Sequence, residues 1–314
     1  MTLAGGVVFL GTGAVAVSAL NALYGAGEDI SLVVTQPDKP KGRGRKLAPT
    51  PVKVRAMELG LPVYQPEDVN SPEALESISS NGPAYLVVAD YGQLLKKPLL
   101  QLAPGGAINV HPSLLPLGRG PAPVAWAILA GERETGVSTM LLDEGMDTGP
   151  VLMQERIKIP PDATAGDISE TLSALGGDLL VKTISGLREG AVVATPQDHE
   201  RATTSKLFDK EFLKVDWAKP AKEIAAKVNA LSPFPSARGF LGGKLIKFLR
   251  ARPTGSVGEP GVVIDVSGEG FVVGCQEGAV LLLEVQPEGK RVMDAGAFVR
   301  GGGVKAGDSF DSEA

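Results

Sequence analysis

The chain has 314 residues, 43% of them hydrophobic, and a formal net charge of −5 at pH 7. That length exceeds one comfortable core and points to two domains of roughly 100–200 residues each. The acidic total argues against a generic nucleic-acid binder, so a polyanionic partner would have to be met by locally concentrated positive charge. A single cysteine, Cys275, rules out an internal disulfide, and with only His111 and His199 beside it a zinc site of Cys and His is nearly excluded.

No basic residue precedes Lys39, so the apolar N-terminal stretch lacks the positive region of a signal peptide. Gly5, Gly6, Gly11 and Gly13 interrupt it too often for a membrane span, and a cytoplasmic protein is expected. Val7 to Leu10 reads as a buried strand, Ala14 to Tyr24 as a helix and Ile30 to Thr35 as a second strand. Pro51 to Leu59 is a helix with proline at its start, where the missing N–H costs nothing. Tyr85 to Ala89 and Gly106 to Val110 are further strands; Pro121 to Ala130 and Ile168 to Leu187 are helices. Strands apolar on both faces that alternate with helices imply a mostly parallel, Rossmann-like α/β sheet over residues 1–190. Residues 191–207 are polar, aperiodic and read as a linker. After a helix from Pro220 to Ala230, short strands follow at Leu245 to Leu249, Gly261 to Ile264, Phe271 to Val273 and Ala279 to Val285. Glycine-rich turns between them predict a small antiparallel, OB-like β-barrel over 208–314. Cys275 falls in this apolar region and reads as a small buried side chain; the tail from Asp308 to Ala314 reads as disordered.

Gly11-Thr-Gly13-Ala-Val-Ala16 fits G-x-G-x-x-A between a strand and a helix and invites a dinucleotide-binding reading. The acidic residue that should end the second strand is absent: Val34 and Thr35 stand there. The simpler account is that these glycines let a strand turn tightly into a helix.

Asn109 and His111 end a predicted parallel strand, two residues apart and therefore on one face, where ligand sites in open α/β sheets gather. Ser113-Leu-Leu-Pro116 and Arg119-Gly-Pro follow, and Asp147-Thr-Gly149 lies in a turn-rich loop. On spacing alone, His111 could equally be a hydrogen-bonded core histidine and Asp147 a turn residue.

Asn109-x-His111, Ser113-Leu-Leu-Pro116 and Asp147-Thr-Gly149 resemble the signature of the folate-dependent formyltransferases. The loop from Thr35 to Leu47, the pair Asp216-Trp217 and Leu231-Ser-Pro-Phe-Pro235 resemble the methionyl-tRNA formyltransferases within that superfamily. The likeness runs from about Val7 to Val292. It departs at Gly13-Ala-Val15, where the family commonly has proline, an acid and phenylalanine, and at Gly118, where it often has a bulky residue.

The resemblance implies an enzyme that moves the formyl group of 10-formyltetrahydrofolate, its cosubstrate, to the α-amine of methionine on initiator tRNA, with no metal. It implies Asn109, His111 and Asp147 as the catalytic set. Asn109 would donate to the oxyanion, His111 would donate to it or shuttle a proton, and Asp147 would hold the imidazole's tautomer or take a proton through water; which of the three moves the proton stays open. Ser113, Leu114, Leu115 and Pro116 would contact the folate. Lys41, Arg43, Arg45 and Lys46 would meet the tRNA, and the C-terminal barrel would bind it too. From Asp38 to Arg55 there are seven basic residues against one acid, and from Lys210 to Arg252 ten against three, as a polyanionic substrate would require. A monomer is expected. A formyltransferase for a small amine, a formyltetrahydrofolate hydrolase and an NAD-dependent oxidoreductase stay open as alternatives.

Overall fold

The structure, a computed structural model, describes residues 5–41 and 46–311. One unit of the chain takes in the residues through Gly120, Gly136–Ile157 and Ser169–Thr204. A second takes in Pro121–Thr135, Lys158–Ile168 and the residues from Ser205 on. Among the described residues no helix is long and apolar enough to cross a membrane.

Apolar runs without alternation become the central strands. In chain order the elements are β1 (Val7–Gly11), α1 (Ala14–Gly25), β2 (Ile30–Val34), β3 (Lys39–Lys41), β4 (Lys46–Ala48), α2 (Pro51–Glu58), β5 (Val63–Tyr64) and α3 (Pro72–Ser79). They continue with β6 (Tyr85–Ala89), α4 (Lys97–Leu100), β7 (Ala107–His111), α5 (Pro123–Leu129), β8 (Glu134–Leu141), β9 (Val151–Lys158) and α6 (Ala165–Glu189). Seven of these strands form one sheet in the order β5-β2-β1-β6-β7-β8-β9. Pairing is parallel from β5 through β7, and β8 runs antiparallel to β7. Strand alternation divides the apolar side chains between two cores. Val7, Phe9, Val33 and Val87 pack with α1 and α6 on one face, and Val8, Leu10, Val34 and Leu86 pack with Ile78 and Leu99 on the other.

The chain leaves β1 for β2 on one side and returns to β6 on the other, so strand order reverses between β1 and β6. The crevice outside the carboxyl ends of strands at such a reversal is where ligands bind in this class of sheet. Gly11 and Gly13 are accounted for by packing there. A Cβ on Gly11 would stand 2.6 Å from Phe9 Cε1 and 2.8 Å from Ala16 Cβ, and one on Gly13 would stand 1.9 Å from Asp90 Oδ2. A carboxylate thus lies at the start of α1, where a dinucleotide would place its phosphates.

The second sheet is built from β10 (Ala237–Leu241), β11 (Lys244–Thr254), β12 (Val263–Val266), β13 (Phe271–Gly274), β14 (Ala279–Pro287), β15 (Met293–Asp294) and β16 (Phe310–Asp311). Its order is β12-β13-β14-β11-β10-β16, with β15 on β14. The long β11 shifts register against β14 around Arg250, the kind of bulge that lets a strand curl around a barrel. The sheet's two ends meet through main-chain bonds: Phe310 N–H to Gly261 O, Val263 N–H to Asp308 O and Gly307 N–H to Val263 O, each 2.8 Å. The helix α7 (Ala221–Ala230) packs on this barrel, and its buried Asn229 donates to Ala251 O at 2.8 Å and accepts from Ala251 N at 2.9 Å. A short α8 (Ala295–Arg300) follows β15.

The tail corrects the reading of disorder as far as Asp311. Phe310 is buried and lies 5.4 Å from the ring of Phe248 and 5.8 Å from that of Phe271. One aromatic in a polar stretch has no neighbours in sequence to mark it as core; residues 312–314 lie outside the described residues. Cys275 is buried, and burial pushes its thiol up to about 11.

Candidate active site

β7 fixes the first two candidates. Asn109 is held between Val88 of β6 and Met140 of β8, and His111 lies opposite Ser138. Both side chains leave the same face of the strand. The Asn109 carboxamide is half-buried and, among the described residues, makes no side-chain hydrogen bond. His111 is buried. Its Nε2 lies 2.9 Å from Gly118 O. A carbonyl oxygen only accepts, so Nε2 carries the proton. In the neutral ring the lone pair then sits on Nδ1, which faces Asp147 Oδ2 at 3.6 Å. That is too long for a hydrogen bond, and one forms there on closure only once Nδ1 has gained a proton to donate.

Asp147 comes to this position from a loop with several constraints. It has φ 53°, a left-handed conformation that costs a non-glycine residue of order 1–3 kcal/mol and persists only where its surroundings impose it. Thr148 Oγ1 donates to Asp143 Oδ1 at 2.7 Å, and Gly145 N–H donates to the same oxygen at 3.0 Å. Gly149 leaves no room for a side chain, since a Cβ would stand 1.9 Å from Leu141 O. Asp147 Oδ2 accepts from Gly120 N–H at 2.8 Å.

Two buried residues complete the surroundings. Gln197 Nε2 donates to Asp147 O at 2.8 Å and to Gly149 O at 2.7 Å. Its Oε1 accepts from Arg119 Nε at 3.0 Å and Nη2 at 2.8 Å. Arg119 Nη1 lies 3.1 Å from Nδ1 of His199. The sequence gives no hint of Gln197: it sits in the aperiodic stretch that reads as a linker. That stretch is tied to the sheet through paired main-chain bonds between Val151 and Thr195, both 2.8 Å, and through Arg119 N–H to Thr203 O at 2.9 Å.

Of the residues expected to meet folate, Ser113 and Leu115 are buried. Ser113 Oγ donates to Leu117 O at 2.6 Å, Ser138 Oγ donates to Ser113 O at 2.6 Å, and Leu115 N–H donates to Ser138 Oγ at 3.1 Å. Leu114 packs against Gly136, and Leu114 and Pro116 are half-exposed. The segment is thus a tight scaffold between His111 and Gly118, closed by a cis peptide at Leu115–Pro116.

The basic segment after β2 is a ribbon. β3 and β4 pair antiparallel, Lys39 with Ala48 and Lys41 with Lys46. Arg43 and Arg45, and the side chain of Lys41, lie outside the described residues; Lys46 is exposed. The sequence count overstates the free charge. Lys53 pairs with Asp38 at 2.8 Å, and Arg55 with Glu58 at 2.9 Å. In the second basic segment Arg250 and Arg252 are paired with Asp167 and Glu269, while Lys219, Lys222 and Lys244 are exposed without an ion pair among the described residues.

The family model described as "Formyl transferase" matches residues 6–184, and "Formyl transferase, C-terminal domain" matches residues 208–303. The methionyl-tRNA formyltransferase of Myxococcus xanthus is 44% identical over 295 residues, 94% of each chain. That of Chloroflexus aggregans is 45% identical over 298 residues, 94% of this chain and 96% of the relative. Among solved structures, HypX from Aquifex aeolicus in complex with tetrahydrofolic acid superposes with a TM-score of 0.65 at 19% identity, over 94% of this chain. This chain spans about half of HypX, 46% of its length. An N-formyltransferase from Helicobacter canadensis superposes with a TM-score of 0.63 at 16% identity, over 90% of this chain and 100% of that one. At these identities the structures show a shared fold.

Proposed function

The chain belongs to the formyl transferase family, and from that membership we infer that it transfers the formyl group of 10-formyltetrahydrofolate to the α-amine of methionyl-initiator tRNA. The observation that carries this reading is the near-full-length identity to methionyl-tRNA formyltransferases, which extends through the C-terminal barrel. The barrel does not by itself separate this reading from a small-amine formyltransferase, since the Helicobacter canadensis enzyme superposes over 90% of this chain; the identity to methionyl-tRNA formyltransferases and the basic ribbon do. The NAD-dependent alternative loses its footing because Gly13 faces a carboxylate.

The folate supplies the formyl carbon; the chain's residues supply placement and charge. The uncommitted Asn109 amide donates to the formyl oxygen as negative charge builds there. The Nε2–H of His111, now taken by Gly118 O, is the second donor available to that oxygen. The amine attacks the formyl carbon and the bond from that carbon to the folate nitrogen breaks, releasing tetrahydrofolate. The amine's proton goes either to Nδ1 of His111, where Asp147 stabilises the resulting imidazolium, or through water to Asp147 itself. The turn from Ser113 to Pro116 meets the folate through its main chain and through Leu114 and Pro116, because Ser113 and Leu115 are turned inward. Lys41, Arg43, Arg45 and Lys46 on and beyond the β3–β4 ribbon, with the exposed lysines of the barrel unit, meet tRNA phosphates. The protein works as a cytoplasmic monomer.

The test is formyl transfer from 10-formyltetrahydrofolate to charged initiator tRNA, with free methionine as the control acceptor. Formylated methionyl-tRNA without formylmethionine is expected. Equal formylation of free methionine, or oxidation or hydrolysis of the folate without transfer, would overturn the reading.

A further inference from the structure

We propose that Gln197 is a positioning residue for Asp147, with Arg119 fixing the orientation of its amide; the proposal rests on the reading of Asp147 as catalytic. Gln197 and Arg119 are each 7% exposed, so these polar groups are withdrawn from water and need their partners. The orientation of the Gln197 amide follows from chemistry. The guanidinium of Arg119 can only donate, so the atom facing it is Oε1; the carbonyls of Asp147 and Gly149 can only accept, so the atom facing them is Nε2.

The bonds close a ring around Asp147. Its main-chain oxygen is held by Gln197 and its carboxylate by Gly120 N–H, and Gly120 is joined covalently to Arg119, which holds Gln197. The two ends of the aspartate are therefore tied to Gln197 and to Gly120, and Arg119 links these two. The second bond from Gln197, to Gly149 O, grips the far side of Asp147, whose backbone is left-handed. Nothing in Gln197's set of partners belongs to the apolar core. All of them are residues that place the carboxylate opposite His111. A shift of about 1 Å in a reacting group can cost on the order of 100-fold in rate, so this clamp should govern turnover rather than affinity.

Two variants probe it. Gln197→Glu keeps an acceptor for Arg119 but cannot donate to the two carbonyls. Gln197→Met keeps the length and removes every polar contact, and it decides the matter should the glutamate variant not fold. Steady-state formyl transfer to charged initiator tRNA is expected to show kcat lowered by about 10- to 100-fold, with KM for tRNA and folate within about 2-fold of wild type. The same changes made in an Asp147→Asn background should lower kcat by less than about 2-fold further, because a residue that acts through Asp147 has nothing left to position. An undiminished kcat in both Gln197 variants beside a slow Asp147→Asn overturns the positioning role alone. An equal loss in both backgrounds also overturns it. Full activity of Asp147→Asn would instead overturn the catalytic reading of Asp147 on which the proposal stands.

Discussion

Among the described residues the Asn109 carboxamide has no hydrogen-bond partner, whereas the imidazole beside it has one in Gly118 O and a carboxylate, Asp147, at 3.6 Å. In the proposed mechanism Asn109 takes the formyl oxygen at once, whereas His111 first gives up Gly118 O. Asn109→Ala should therefore lower kcat by roughly 10²–10³ while folate and tRNA affinities hold, as for loss of an oxyanion donor. Rapid-quench measurement of formyl transfer at saturating substrates checks this, and a near-normal rate would remove Asn109 from the mechanism. Asp167 gives a residue-scale prediction for stability. Burial alone would raise its pKa, but bonds from Arg250 and from Thr164 outweigh it and hold the carboxyl below its ordinary value of 3.8. A carboxylate with a depressed pKa adds stability above the ordinary value and loses it as pH falls through the lowered one. Arg250→Met should thus lower the Tm at neutral pH by an amount that shrinks toward zero in acid; a difference independent of pH would show that the ion pair is not its source. Asn109 and His111 are legible in the sequence as a pair at a strand end, but only the resemblance to the formyltransferases groups them with Asp147, which spacing alone leaves as a turn residue. Gln197 is not legible, because its partners are two main-chain carbonyls and an arginine whose approach depends on the whole fold.

The strands buried on both faces can be read from the sequence because continuous apolar runs have no other comfortable place. The β3–β4 ribbon cannot, since each arm has three residues and a basic surface, with no apolar alternation to count. The edge strand β9 alternates only weakly, its residues half-buried or exposed except Leu152. The last strand, β16, is two residues long, and its single core contribution is Phe310. That side chain touches Trp217, Phe248 and Phe271 and sits where the barrel closes. Phe310→Ala should destabilise the barrel unit by about 3–5 kcal/mol, the cost of an aromatic-sized cavity. Denaturant melts followed by Trp217 fluorescence would show it. A loss below about 1 kcal/mol would mean the strand contributes little to closure.

Across the whole molecule, an acidic chain is read as handling a polyanion through a few exposed cations. Lys53, Arg55, Arg250 and Arg252 are already paired, so the proposed tRNA contact draws on the β3–β4 ribbon and on exposed lysines such as Lys219, Lys222 and Lys244. Arg43→Leu should leave thermal stability and folate binding unchanged, raise KM for charged tRNA or lower kcat, and flatten the dependence of log Kd on log salt by about one unit or less. A variant identical to wild type in rate and salt slope would move the contact elsewhere.

The proposed function requires His111 to act in the chemical step of formyl transfer. Single-turnover formylation of charged initiator tRNA by His111→Ala, with tRNA and 10-formyltetrahydrofolate both saturating, measures that directly. The structure predicts a rate lowered by about 100-fold or more with tRNA Kd unchanged. A rate within about 2-fold of wild type would contradict it.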